Sequence, residues 1–333
     1  MTDLRYQPAG NLELRRFLQN FHGIAVDAEV AGKPLKAARP VYRFTFGDGL
    51  PALVGKFFFS FPPQTPPDRG LVKEYHAYLQ APALGLTGVR SRVPRLLGCR
   101  PHIMLGLLLE DVPGPDLDFF LAGASSPEGQ QALCDKLQKL AELLAFFHSR
   151  PRPSEPVSPD TALKYFHKLM KQLAAKGVLT WAEAHRFQAE RAAWERILPA
   201  FPDRRVLIHG DATPTNFLFP DGRAVGLDLE RLGVADRLFD VSWLAGEIKH
   251  AWGWRFHDFA GSEPAVSHFL QAYGRAIDAD AALVDRIFRL NPFYMAMAEL
   301  RIARNDYLSW EYRRGLIQEA LSCLRHGRLK SGF

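Results

Sequence analysis

An aspartate at 211, an asparagine at 216 and an aspartate at 228 lie within VLIHGDATPTNFLFPDGRAVGLDLERLGVADRLFDVSWL, residues 206–244. A carboxylate, a carboxamide and a second carboxylate at this spacing suit phosphoryl transfer, a reaction in which the protein mostly positions groups and neutralises charge. Magnesium prefers hard oxygen ligands and is usually held by one or two side chains together with substrate phosphates. The amide oxygen of Asn216 and the carboxylate of Asp228 can supply that share. Asp211 then stands beside the ion without being required as a ligand, which suits a base that orients an attacking hydroxyl.

Those groups need a scaffold, and the flanking residues describe one. Pro220, Asp221 and Gly222 form a turn signal between two apolar runs, 217–219 and 225–227, which reads as a β-hairpin with a short loop. Asn216 and Asp228 each lie six residues from Gly222, so a symmetric register sets them opposite each other on one face. Asp211 belongs to the loop that leaves an apolar strand at 206–208.

HGDATPTNF, then LDLE, then FDVSWL resembles the H-G-D-x-x-x-x-N motif, downstream D-x-E and later helix-opening Asp of the aminoglycoside phosphotransferase and choline kinase superfamily. Protein kinases share the logic in H-R-D-x-x-x-x-N and D-F-G. The resemblance implies ATP and Mg²⁺ as cofactors, Asp211 as catalytic base, Asn216 and Asp228 as metal ligands, and Asp240 bracing the catalytic loop. In this pattern His209 is an internal hydrogen-bonding residue rather than a proton shuttle. It also implies a fold: α+β, bilobal and protein-kinase-like. A small nucleotide-binding lobe with an antiparallel sheet and one helix would occupy 1–110, a hinge 111–117, and a larger, mostly helical catalytic and acceptor-binding lobe 118–333.

The amino-terminal third fits the smaller lobe. Strands are predicted at 25–32, 41–46 and 52–60, with Gly47, Asp48 and Gly49 turning the second into the third. Lys56 stands alone in LVGKFFFSF, where a lysine needs solvent at a sheet edge or an acidic partner. Glu74, in the helical pattern LVKEYHAYLQ, could meet it. The pair resembles the family's strand lysine and helix glutamate, which would hold nucleotide phosphates. AGKPLKAARP stands where protein kinases carry G-x-G-x-x-G and lacks it, and no G-x-x-x-x-G-K-[ST] occurs, so the P-loop class is excluded. In IMLGLLLEDVPGPDLDFFL a buried-type strand runs into a Pro-Gly-Pro break and then a helix, as the lobe connection of this family does. The main chains of Glu110, Asp111 and Val112 are the candidates to read an adenine ring there; the other reading is a plain loop.

The remainder is helical in pattern. Ser126-Pro127, Ser158-Pro159 and the capping-box spacing at Thr180 predict helices near 127–149, 159–176 and 181–199. Proline-rich SFPPQTPPDR and RPRPSEPVSP read as a loop and a stiff connection. Glu247, Lys249 and His250, past the Asp240 helix start, are placed to face an acceptor. In the carboxy-terminal segment Arg301, Arg304, Arg313 and Arg314 interleave with tyrosines and a tryptophan; at helical spacing these aromatics read as core and the arginines as their solvated rim. Arg325, His326, Arg328 and Lys330 read as a solvated, frayed tail, the other reading being contact with an anionic partner or membrane surface.

Composition sets the remaining bounds. A chain of 333 residues exceeds the size at which one core keeps growing. There is no apolar run of membrane-spanning length and no apolar signal core near Met1, and the three cysteines, Cys99, Cys134 and Cys323, are widely spaced, so a cytoplasmic protein with reduced thiols is expected. The net charge of +6 gives no hint of the acidic field that would grip a polycationic antibiotic. The expected activity is transfer of the γ-phosphate of ATP to a hydroxyl of a small-molecule acceptor, an amino sugar, sugar or amino alcohol, with no nucleic-acid partner. A kinase of a protein or lipid-linked sugar, and a kinase-like nucleotide-binding module without catalysis, are the alternatives.

Overall fold

The structure, a computed structural model, describes residues 12–25, 29–35, 37, 39–47, 49–57, 69–88, 92–150 and 155–331. Lys36, Asp48, the segment 60–68 of the first proline-rich stretch and 151–154 of the second lie outside the described residues, as does part of the strand predicted at 25–32. Two compact units form: one takes the chain to Pro113 together with Val225–Arg231, the other takes Gly114–Ala224 and Leu232–Phe333. The return of seven residues to the first unit follows from no local sequence signal.

The first unit is an antiparallel sheet with two helices. Strands β1 (Val30–Pro34), β2 (Val41–Phe46), β3 (Leu53–Phe57), β4 (Leu96–Arg100) and β5 (Leu105–Glu110) lie in the order β1-β2-β3-β5-β4. Alternation along β3, with Leu53, Gly55 and Phe57 buried, sends Val54 and Lys56 to the opposite face. Helix α1 (Leu12–His22), which no motif pointed to, joins Leu14 and Leu18 to a core of Val30, Phe44, Leu53, Phe57, Ile103, Leu105 and Leu108. Each such side chain contributes about 1.5–3 kcal/mol on leaving water. Helix α2 (Arg69–Gln80) carries Glu74 on its buried face.

The second unit is mostly helical: α3 (Leu117–Ala122), α4 (Pro127–His148), α5 (Pro159–Ala175), α6 (Trp181–Ile197), α7 (Leu238–Phe256), α8 (Glu263–Ala276), α9 (Ala281–Ala303) and α10 (Trp310–Lys330). Ser126 caps α4 through the Gly129 N–H, and Thr180 and Glu183 close a reciprocal capping box on α6. Ser158 precedes Pro159 as expected but makes no side-chain cap. Phe166, Phe187, Trp194 and Phe293 pack their rings into one buried cluster joining α5, α6 and α9. Short strands β6 (Val206–Ile208) and β9 (Gly233–Ala235) pair antiparallel, with Leu207 opposite Val234. Between them in sequence come β7 (Phe217–Leu218) and β8 (Val225–Gly226). The intervening turn closes with the Arg223 N–H on Pro220 O at 3.0 Å. Asp221 and Gly222 both have positive φ, 48° and 73°, as a tight hairpin turn requires.

Two sequence expectations are corrected here. The carboxy-terminal basic residues are part of α10 rather than a frayed tail: Arg328 and Arg325 face Glu190 at 3.1 and 3.9 Å, and the His326 ring lies 3.1 Å from Ser322 Oγ. Nor do the arginines of α9 and α10 form a solvated rim. Arg304 donates to Gln172, Arg313 to Ala303 O and Arg314 to Val178 O, while Tyr294 is buried and donates to Asp236. Helical periodicity separates faces but says nothing of which neighbour covers the polar one. No described helix is long and apolar enough to cross a membrane.

Candidate active site

In the first unit the chemistry centres on Lys56. Strand β3 lies between β2 and β5, so the lysine is not an edge-strand charge and must be satisfied within the protein. Its Nζ stands 2.6 Å from Glu74 Oε1 and 3.7 Å from Asp228 Oδ1. Glu74 is fully buried, and burial pushes its carboxyl up to about 7 against the pull of the Lys56 ammonium, with the Asp228 charge adding to the upward push. Asp228 is one of five described non-glycine residues with positive φ, at 58°, a conformation that costs about 1–3 kcal/mol and is often stored at functional sites. Its Oδ1 is buried with no hydrogen-bond donor. A carboxylate oxygen that accepts no hydrogen bond has the character of a cation ligand, so the residue fits Mg²⁺. Glu230, two residues on, instead pairs with Arg39 at 2.8 Å and Arg231 at 3.5 Å.

Of the three hinge candidates, two have already committed their N–H groups: Glu110 to Arg95 O at 3.1 Å, Asp111 to Ala52 O at 3.2 Å. Their carboxylates pair with Arg95 and Arg43, at 2.6 and 2.5 Å. Among the described residues the main chain of Val112 makes no backbone hydrogen bond.

In the second unit the loop after β6 is built around Asp240, in the first turn of α7. The carboxylate accepts the His209 N–H on Oδ2 at 2.7 Å and the Gly210 N–H on Oδ1 at 2.8 Å. Gly210 has φ of +82°, which a side chain would resist, and this turns the chain so that both amides point at one carboxylate. Behind Asp240 lies a buried relay that the motif does not disclose. Burial lowers the His148 pKa, with Asp240 opposing, so the neutral ring has one N–H to give. Nε2–H donates to Asp240 Oδ2 at 3.1 Å, Nδ1 accepts from the Tyr273 hydroxyl at 2.6 Å, and Arg237 donates to that hydroxyl oxygen at 3.3 Å. Burial pushes the Asp240 carboxyl up, but its interactions with His148, His209 and the Gly210 N–H outweigh it and hold it below the usual range. His209 is itself fully buried; its Nδ1 accepts the Asp211 N–H at 3.4 Å and its ring packs on Phe217 and Phe147.

The loop thus presents Asp211, whose side chain is 18% exposed. Asn216, ending a short 3₁₀ turn, donates from Nδ2 to Asp211 O at 3.0 Å and Oδ2 at 3.3 Å, which leaves its amide oxygen for another partner. Nearby, Gly114 adopts φ of +133° and an added Cβ would lie 3.1 Å from the Phe219 carbonyl carbon. Only glycine lets the chain pass there, after which Phe219 N–H bonds Pro115 O at 3.0 Å.

Of the acceptor candidates, Glu247 is linked to Asp211 through Arg301 and the other two are less directly so. Residues 243, 247, 250 and 254 share one face of α7. Glu247 takes a hydrogen bond from Arg301 Nη2, and Arg301 Nη1 lies 3.4 Å from Asp211 Oδ1. The His250 ring meets the Tyr312 hydroxyl at 2.8 Å, and burial lowers its pKa to about 4. Lys249 turns the other way, to Glu263 and Glu319 at 2.9 and 2.8 Å. Arg301, which the sequence places in a solvated rim, is the neighbour of Asp211 that no motif pointed to; ninety positions separate the two, and no spacing rule spans that.

This α+β architecture is protein-kinase-like, a small sheet-containing unit followed by a larger helical one. The chain belongs to the phosphotransferase enzyme family (APH), whose model matches residues 34–283. It is 29% identical over 148 residues to an aminoglycoside 3'-phosphotransferase of Salmonella typhimurium, 41% of this chain and 51% of that protein. The chain thus spans about half the length of the curated relatives it matches. Among solved structures, aminoglycoside phosphotransferase APH(2'')-Ib with bound ADP superposes with a TM-score of 0.58 at 13% identity, over 93% of this chain and 97% of that one. A choline/ethanolamine kinase family protein of Mesorhizobium loti gives 0.57 at 18%, over 94% and 98%.

Proposed function

We propose that the chain is an ATP- and Mg²⁺-dependent phosphotransferase that moves the γ-phosphoryl group to a hydroxyl of a small molecule of the amino sugar, sugar or amino alcohol class. The observation that carries the reading is the Lys56, Glu74 and Asp228 group: a lysine on a central strand, anchored by a buried glutamate, beside an aspartate held in a strained backbone whose Oδ1 accepts no hydrogen bond. Structural charges do not need that arrangement; a polyphosphate and its cation do. Family membership, and the similarity to proteins named as aminoglycoside phosphotransferases, support the same class.

Asn216 and Asp228 are the residues that would hold Mg²⁺, and the ion, when bound, supplies charge neutralisation on the transferring phosphates. Lys56 gives a further positive charge to the phosphates, and Glu74 keeps its ammonium on that side of the sheet. Asp211 accepts the proton of the acceptor hydroxyl. The oxygen so released forms its bond to Pγ as the bond from Pγ to the β,γ-bridging oxygen breaks, and ADP leaves with that electron pair. Asp240 contributes by fixing the two amides that precede the base, so the loop does not have to be ordered on each turnover. Val112 is the main-chain candidate for adenine recognition.

A transfer screen with γ-labelled ATP against pooled amino alcohols, sugars and amino sugars, run beside the Asp211→Asn protein, tests the proposal. Labelled product from the unaltered chain and none from the variant is expected. Retention of label in ATP across all pools, with nucleotide bound, would favour a binding module instead.

A further inference from the structure

We propose that Arg301 is a positioning residue for Asp211, and that Glu247 and Trp243 hold it in place for that task; the inference rests on the reading of Asp211 as the base. Arg301 lies beyond residue 283, where the family match ends, so membership assigns it no part. It occupies the last turn of α9 and its side chain is 15% exposed. The guanidinium is held from three directions. Nη2 donates to Glu247 of α7, Nη1 reaches Asp211 Oδ1 at 3.4 Å, and the cation lies 5.0 Å from the centre of the Trp243 ring.

The unequal contacts define the role. The charge-assisted bond to Glu247 lies well within hydrogen-bonding reach, whereas the one to Asp211 is at the limit of hydrogen bonding. Glu247 is therefore the anchor, and Asp211 the group being steered. A carboxylate oxygen accepts more than one hydrogen bond, so a long contact to Oδ1 orients the base without closing it to a hydroxyl. On the other oxygen, Asn216 Nδ2 stands at 3.3 Å. The two donors thus hold one carboxylate oxygen each, one from the loop itself and one from α9.

The charge balance supports the same assignment. Burial pushes the Glu247 carboxyl up and the Asp211 charge adds to this, while Arg301 pulls it down. For Arg301, burial works against the cation, but Glu247 and Asp211 together outweigh it and raise its pKa. A guanidinium therefore stays charged between two carboxylates that would otherwise repel each other, and without it the Asp211 carboxylate would keep only the Asn216 contact on Oδ2.

The test is a mutant cycle on the full chain, with ADP formation from Mg·ATP measured with water as acceptor and then with ethanolamine, choline and gentamicin as probes. Arg301→Gln is expected to lower kcat about tenfold to a hundredfold while KM for ATP stays within about twofold, and Arg301→Lys to recover part of the loss. In an Asp211→Asn background Arg301→Gln should cost less than about twofold more, because a residue that acts through the base has nothing left to act on. Since Arg301→Gln leaves Glu247 buried without its partner, the combination of Arg301→Gln with Glu247→Gln is made as a folded reference and should show the same loss. Additive losses across the cycle, or full kcat in the folded combination, would overturn the inference. Full turnover by Asp211→Asn alone would overturn the base assignment instead, and an unaltered chain that forms no ADP with any of these acceptors removes both.

Discussion

Asp211 and Asp228 are both aspartates of one motif, yet their surroundings predict opposite phenotypes. Asp211 is flanked by hydrogen-bond donors and partly open to solvent, as suits a proton acceptor. Its replacement by Asn should reduce kcat by about 10²–10⁴-fold, the usual contribution of a general base, with nucleotide affinity nearly unchanged. Asp228, with a buried oxygen no donor satisfies, should act on binding. For Asp228→Ala the dissociation constant of Mg·ATP should rise at least about tenfold, while ATP without metal binds as before. Titration calorimetry with and without Mg²⁺ separates the two; equal weakening in both conditions would remove the metal assignment. Lys56 makes the same point about reading residues singly. In sequence it could be an edge charge or half of an ion pair, and only its place between two other strands decides.

At the scale of elements, the relay from Arg237 through Tyr273 and His148 to Asp240 ties α4, α7 and α8 to the loop after β6. Its pH dependence has a definite sign. The folded pKa of His148 lies below its ordinary value of 6.5, so the stabilisation from keeping it neutral is present above pH 6.5 and is lost as pH falls through the folded value. Asp240, held below 3.8, adds a further loss at lower pH. Chemical denaturation should show stability falling below about pH 6.5, and in His148→Gln that fall should be smaller between about pH 6.5 and 5, the share of His250 remaining. A second element-level prediction concerns the crossing of α9 and α10. A Cβ on Gly327 would come within 2.6 Å of Pro292 and 3.0 Å of the Trp194 ring, both rigid. Gly327→Ala should therefore cost about 1–3 kcal/mol by overpacking, although alanine is the better helix former. An unchanged denaturation midpoint would mean that the two helices can part at no cost.

For the whole molecule, the measurable consequence of the proposed function is linkage. If nucleotide and metal bind the folded chain only, Mg·ATP at about a hundred times its dissociation constant should add about 2.7 kcal/mol of stability. Thermal shift on the unaltered protein, Asp211→Asn and Asp228→Ala should then give full, full and little stabilisation; stabilisation of all three alike would point to a nucleotide site independent of Asp228.

What could be read from the amino acids alone was local. The loop after β6, the hairpin turn at Asp221 and Gly222, the capped starts of α4 and α6 and the second and third strands all follow from interactions a few residues apart, where backbone stereochemistry and side-chain periodicity act directly. Motif spacing extended this to the α+β class and to the family, because a reaction constrains which residues must converge. Tertiary structure decided the rest. Helix α1 became part of the smaller unit because apolar residues on one of its faces cover the sheet, the carboxy-terminal arginines found buried acceptors instead of solvent, and Arg301 reached Asp211 across ninety residues. None of these is encoded in a short window: a buried charge chooses among every partner that packing brings within reach, and that set exists only once the chain has folded.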